Sequence, residues 1–126
     1  MKIVRFADLS FIPASHEDPK DPGALKKVLL RKDDLPEGTV QMINWARIPK
    51  GKTFAAHFHE SMIEVFIIIS GKVKAKIAAD EAVLEKGDMV VAMERQVHSF
   101  ENISDEDVDY FAMGIVTSEG GKSVNV

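Results

Sequence analysis

The chain is 126 residues long, enough for one domain with a buried core and too short for two. A formal charge of −4 and a pI near 5.5 leave no basic stripe to neutralise phosphates, which argues against a nucleic-acid partner. No cysteine is present, which excludes disulfides, thiolate metal sites and a cysteine nucleophile together, and no apolar run approaches membrane-spanning length.

In chain order, Met1 to Asp8 meets a charge before any signal-like apolar region forms, so a cytoplasmic location is expected. Ile3 to Phe6 reads as a short edge strand. Pro13, Pro19 and Pro22, with acidic residues around them, make residues 1–23 an irregular N-terminal arm that wraps either the rest of the fold or a partner. His16 within it is expected to be a solvated loop residue. Ala24 to Arg31, with Val28, Leu29 and Leu30, is predicted as a strand, and Asp33 to Gly38 as a turn containing Pro36 and Gly38. Val40 to Ile48 is a strand carrying Met42, Asn44 and Ala46 on one face and Ile43, Trp45 and Arg47 on the other. Parity alone does not say which face looks inward.

Pro49-Lys50-Gly51 turns the chain into the stretch that organises it, Gly51 to Gly71. On a β-strand residues i and i+2 share a face, roughly 6.5–7 Å apart, so His57 and His59 project to the same side. Glu64 follows and opens the strand-like run Val65, Phe66, Ile67, Ile68, Ile69. If the two imidazoles and the carboxylate ride on adjacent antiparallel strands, joined through Glu60-Ser61-Met62-Ile63, the three converge. Beyond Gly71, Lys72, Lys74 and Lys76 alternate with Val73, Ala75 and Ile77 in a half-buried strand. Ala82 to Leu84, Met89 to Ala92, Val97 to Asn102 and Val108 to Val116 are further strands, separated by tight turns and the acidic loop Ser104 to Asp107. Residues 117–126, with Gly120-Gly121, read as a tail. Many short strands with no convincing helix give an all-β sandwich or barrel over residues 24–116.

Gly51, His57, His59, Glu64 and Gly71 match every position of the first motif of the cupins, and Gly87, His98 and Asn102 match the second at the right separation. The chain therefore resembles that family between Gly51 and Asn102. Met93 stands where the family has proline and Arg95 where it has glycine, so neither the fixed φ of the one nor the φ freedom of the other is retained in the loop before His98. The resemblance implies a single-domain double-stranded β-helix (jelly-roll) barrel, and it implies His57, His59, Glu64 and His98 as ligands of a divalent transition metal. A nitrogen and oxygen set suits Mn, Fe, Co, Ni, Cu or Zn without choosing among them.

Two functional readings follow. One is a metal-dependent enzyme, an oxygenase or an isomerase, acting on a small oxygen-rich substrate such as a keto acid, dicarboxylate or sugar; the other is a non-catalytic module that binds a small ligand. Arg47 and Arg95 are the candidate anion-binding groups, Tyr110 a candidate hydrogen-bond donor and Glu60 a candidate base, each weighed against an ordinary surface or packing role. Met42, Met62, Met93 and Met113 are candidate pocket walls. If Glu64 faces the metal, Val65, Ile67 and Ile69 face outward, and a strand apolar on both faces must be covered on both, by the arm or by a second subunit. A homodimer is the expectation.

Overall fold

The structure, a computed structural model, describes residues 4–34, 39–117 and 123–126. Among the described residues eleven strands follow in order: β1 (Ile12–Pro13), β2 (Leu25–Arg31), β3 (Val40–Ile48), β4 (His57–His59), β5 (Met62–Ser70), β6 (Lys72–Ile77), β7 (Asp80–Glu85), β8 (Met89–Ala92), β9 (His98–Asn102), β10 (Val108–Val116) and β11 (Ser123–Asn125). They form two antiparallel sheets, β1-β2-β3-β10-β5-β8 and β11-β4-β9-β6-β7, the double-stranded β-helix expected from the sequence.

Cross-strand register decides the faces that parity left open. Ala46 pairs with Tyr110, which pairs with Ile68; Asn44 pairs with Ala112, which pairs with Phe66; Met42 pairs with Gly114, which pairs with Glu64. These rows look inward. Their apolar members join Ile48, Phe54, Val73, Phe100 and Val108 in one core that fills the space between the sheets. The aromatic part is tightly grouped, with Phe100 4.9 Å from Phe54 and 4.8 Å from Phe66 between ring centroids. Gly71, at φ +79°, turns the chain from β5 into β6 and thus from one sheet to the other; a Cβ there would lie 2.6 Å from Val108 Cγ2.

Several expectations need correction. β4 and β5 are not neighbours in one sheet: the chain crosses between sheets at Glu60-Ser61, so the two histidines and Glu64 face each other across the barrel. Arg5 is extended and Phe6–Asp8 is a 3-10 turn rather than the end of a strand, while Met1 to Ile3 lie outside the described residues. Lys32–Asp34 is also a 3-10 turn; Leu35 to Gly38 lie outside the described residues, as do 118–122 with Gly120-Gly121. Ser123–Asn125 of the expected tail is a strand that pairs with β4.

The outward face of the first sheet carries Trp45, Val65 and Ile67. The arm covers its β2–β3 end: Phe6 packs on Trp45 with centroids 5.1 Å apart, and Lys27 Nζ lies 3.6 Å from the Phe6 ring centre. Ile67, on β5, remains 37% exposed.

Candidate metal centre

His57 and His59 alternate with Phe58 on β4, so both enter the barrel, and His98 pairs with His57 across to β9. Glu64 arrives from the opposite sheet. The ligand-capable atoms of His57, His59, Glu64 and His98 all lie within 4.8 Å of one another, and all four residues are buried. The sequence placed these four together, and the structure brings them together.

The rings are oriented by their other nitrogens. His57 Nδ1 lies 2.7 Å from the Ala55 carbonyl oxygen and His98 Nδ1 2.9 Å from that of Gln96. A carbonyl only accepts, so Nδ1 carries a proton in both rings and Nε2 is the ring nitrogen turned toward the cluster. His98 Nε2 is buried and has no hydrogen-bond partner among the described residues, although Glu64 Oε1 is 3.3 Å away. A buried ring nitrogen facing a carboxylate and two further imidazoles fits a cation. His59 Nε2 lies 2.9 Å from Glu64 Oε1, and its Nδ1 lies 2.9 Å from Ser123 Oγ. Shifting the ring proton to Nδ1, toward Ser123, bares Nε2 as the third nitrogen ligand.

The protonation states suit the same task. Burial raises the Glu64 carboxyl, but the hydrogen bond from His59 and the His98 imidazole outweigh it and bring its pKa down to about 2. Burial, with the imidazoles of His16 and His98 beside it, takes His57 down to about 3. At neutral pH the centre therefore holds a carboxylate and a neutral His57.

His16 is not a solvated loop residue. It stacks on His57 with ring centroids 3.9 Å apart and planes 16° from parallel. Glu17 Oε2 accepts the His16 Nδ1 proton at 2.6 Å and the Ala55 N–H at 2.7 Å, and its Oε1 accepts the Gly23 N–H at 2.6 Å. The arm is thus fastened to the backbone that also holds His57. From the other end of the chain, Asn125 Nδ2 donates to the His16 carbonyl at 3.0 Å.

The loop before His98 closes by its own means. Arg95 adopts φ +61°, the left-handed conformation for which glycine is suited, and its N–H donates to the His59 carbonyl at 2.7 Å. Met93 donates its N–H to Gln96 Oε1 at 3.0 Å, a bond proline cannot make. Asn102, the last motif residue, donates to the carbonyls of Ile48 and Glu106 and accepts from Ser104, tying the end of β3 to the loop between β9 and β10.

Beside the centre opens a cavity of about 510 Å³, whose wall includes His59, Glu64, Met42, Met62, Asn44 and Tyr110. Tyr110 packs its ring in the aromatic core, and burial, with Glu64 and Glu17 near, raises its pKa, so its hydroxyl stays protonated. The other candidates fall elsewhere. Arg47 is bound to Asp109 through Nε at 2.6 Å and Nη2 at 3.0 Å, and Trp45 Nε1 donates to the same carboxylate. Arg95, Glu60 and Met93 are exposed and do not line the cavity, nor does Met113. Among the described residues, the lysine and arginine side chains on its wall are Lys26, Arg31 and Lys32.

Residues 44–114 match the family model of the cupin domain. Among curated proteins none matches the sequence significantly. Among solved structures, a predicted oxalate decarboxylase from Thermotoga maritima superposes with a TM-score of 0.80 at 21% identity, covering 91% of this chain and 99% of that one. A sugar phosphate isomerase from the cupin superfamily of Silicibacter pomeroyi gives 0.77 at 14% identity, covering 99% and 82%. The polyketide cyclase RemF from Streptomyces resistomycificus gives 0.76 at 15%, covering 100% and 85%. At these identities the likeness is one of fold.

Proposed function

The chain belongs to the cupin family, and we propose that it is a metal-dependent enzyme acting on a small oxygen-rich molecule such as a keto acid, dicarboxylate or sugar. One observation carries the reading: four buried side chains converge their ligand atoms within 4.8 Å at the edge of a cavity of about 510 Å³. His57, His59 and His98 would hold the ion through Nε2 and Glu64 through a carboxylate oxygen. A divalent ion there supplies Lewis acidity, or activates water or dioxygen, at positions the four ligands leave open. The protein's part is to hold the imidazoles in the required tautomers through Ala55, Gln96 and Ser123, and to offer the Tyr110 hydroxyl as a donor to a bound oxygen. The oxalate, sugar-phosphate and polyketide activities named for similarly folded proteins support an oxygen-rich substrate class.

In this reading the protein works in the cytoplasm as a homodimer. The exposed Ile67 and the apolar outer face of β5, away from the part the arm covers, support a second subunit there.

The test is elemental analysis of untagged protein beside His57→Ala and Glu64→Gln. Stoichiometric metal in the parent and its loss in both variants is the expected result; iron, manganese, nickel or copper directs the substrate search to redox chemistry and dioxygen, zinc to isomerisation or hydrolysis. A parent that takes up no metal after reconstitution refutes the metal-dependent reading.

A further inference from the structure

The cavity wall opposite the four-residue cluster is built from β2, and its charge runs against that of the whole chain. In regular pairing only every second residue of β2 would face inward. Lys26 pairs with Ala46 and Val28 with Asn44, both inward-facing, which would send Arg31 outward. A bulge between Val28 and Leu30 shifts the register by one residue, so Arg31 pairs with the inward-facing Met42. The irregularity brings both cations to the same side. Arg31 then begins a row across the sheet, Arg31-Met42-Gly114-Glu64, three strand spacings or roughly 14 Å from the carboxylate backbone to backbone.

Among the described residues, neither Lys26 nor the Arg31 guanidinium has a carboxylate partner. Lys26 Nζ donates only to the neutral Ser15 Oγ at 2.7 Å, and Asp34 engages the Arg31 backbone N–H instead of its side chain. Among the described residues the lining also includes Lys32 and the carboxylate of Asp33. Burial first and then the nearby Arg31, which is exposed, lower the Lys26 pKa, while the Glu64 carboxylate acts in the opposite sense without cancelling them. Asn44, 8% exposed on the same wall, has a buried Oδ1 with no hydrogen-bond partner.

We propose that the substrate is a small dianion that chelates at the histidine and glutamate cluster with one end and places a second anionic group, a carboxylate or a phosphate, between Lys26 and Arg31. This rests on the metal-binding reading of the cluster and narrows its substrate class. Neutral sugars and singly charged keto acids leave the β2 cations unmatched; an extended diacid or phosphorylated acid satisfies them.

The test is calorimetric binding to the metal-loaded full chain, in two matched pairs: α-ketoglutarate against pyruvate, and the terminal phosphate ester of glycerate against glycerate. At least one dianion should bind about tenfold or more tightly than its singly charged counterpart. Lys26→Met and Arg31→Gln should each remove most of that preference, leave the weaker partner's affinity within about twofold, and leave metal content unchanged. Preference for only the first pair assigns a carboxylate, and for only the second a phosphate. Binding of neither dianion, equal affinity within both pairs, or a preference that survives both substitutions overturns the proposal. Metal content of the same samples separates the two readings: a chain without metal that still prefers the dianion through Lys26 refutes the metal centre and retains the cationic wall.

Discussion

The depressed pKa of His57 ties the acid sensitivity of the metal-free protein to one imidazole. Its value falls to about 3 from an ordinary 6.5, through burial first and then through His16 and His98. Between these limits the unfolded chain binds a proton at His57 that the native protein does not, so stability rises with pH across the window and is lost as pH falls below about 6.5. The slope is about 1.4 kcal/mol per pH unit, which removes about 2 kcal/mol by pH 5 and up to about 5 kcal/mol by pH 3. That upper figure rivals the whole stability of a small domain, about 5–15 kcal/mol. Glu64, Glu17 and Asp109 have lowered pKa values, so what they contribute is present above the ordinary carboxylate range and disappears below it. The interval from pH 6.5 to 5 therefore isolates the imidazole contribution. The assay is urea denaturation of chelator-treated protein at several pH values in that interval, beside His57→Asn, whose amide can still donate to the Ala55 carbonyl. The wild type should lose about 2 kcal/mol more than the variant between pH 6.5 and 5; parallel pH profiles would refute the assignment of a neutral, buried His57.

Arg95→Gly should raise stability by up to about 1 kcal/mol, because it relieves a left-handed residue at φ +61° at the expense of some unfolded-chain entropy, and a lowered urea midpoint would contradict this. Asn102→Ala should cost about 2–4 kcal/mol in thermal or urea unfolding, since it strands the Ile48 and Glu106 carbonyls and the Ser104 N–H at once. Asp109→Asn should cost about 1–3 kcal/mol by leaving the Arg47 guanidinium without its counter-charge, with no change in metal content because the pair lies outside the cavity. Ser123→Ala should weaken metal affinity about tenfold or more while Ser123→Thr retains it, as read by competition with a chromophoric chelator; equal affinities would remove Ser123 from the support of His59.

The four clustered side chains were legible in the sequence because their information is local or carried by a spaced motif. His57 and His59 share a face by the period of a strand, and Gly51, Glu64, Gly71, Gly87, His98 and Asn102 keep the cupin intervals. The all-β fold was legible for a similar reason: short alternating runs between turn residues admit little else. Tertiary structure decided what lies between distant segments. His16 reaches His57 across 41 positions through an arm whose prolines signal only irregularity, and no period connects them. Ser123 stands beside His59 only because β11 pairs with β4. Arg47 and Arg95 are nearer the motifs in sequence than Lys26 and Arg31, yet the latter pair lines the cavity: Lys26 pairs with the inward-facing Ala46, and a one-residue bulge beyond it reverses the facing of Arg31 in a way that binary pattern cannot register. Sequence determined the types of element and the residues of the cluster, since both depend on spacing along one strand or motif. Which sheet each strand joins, which side chains support the imidazoles and which cations face them depend on register across strands, and that is fixed only when the barrel closes.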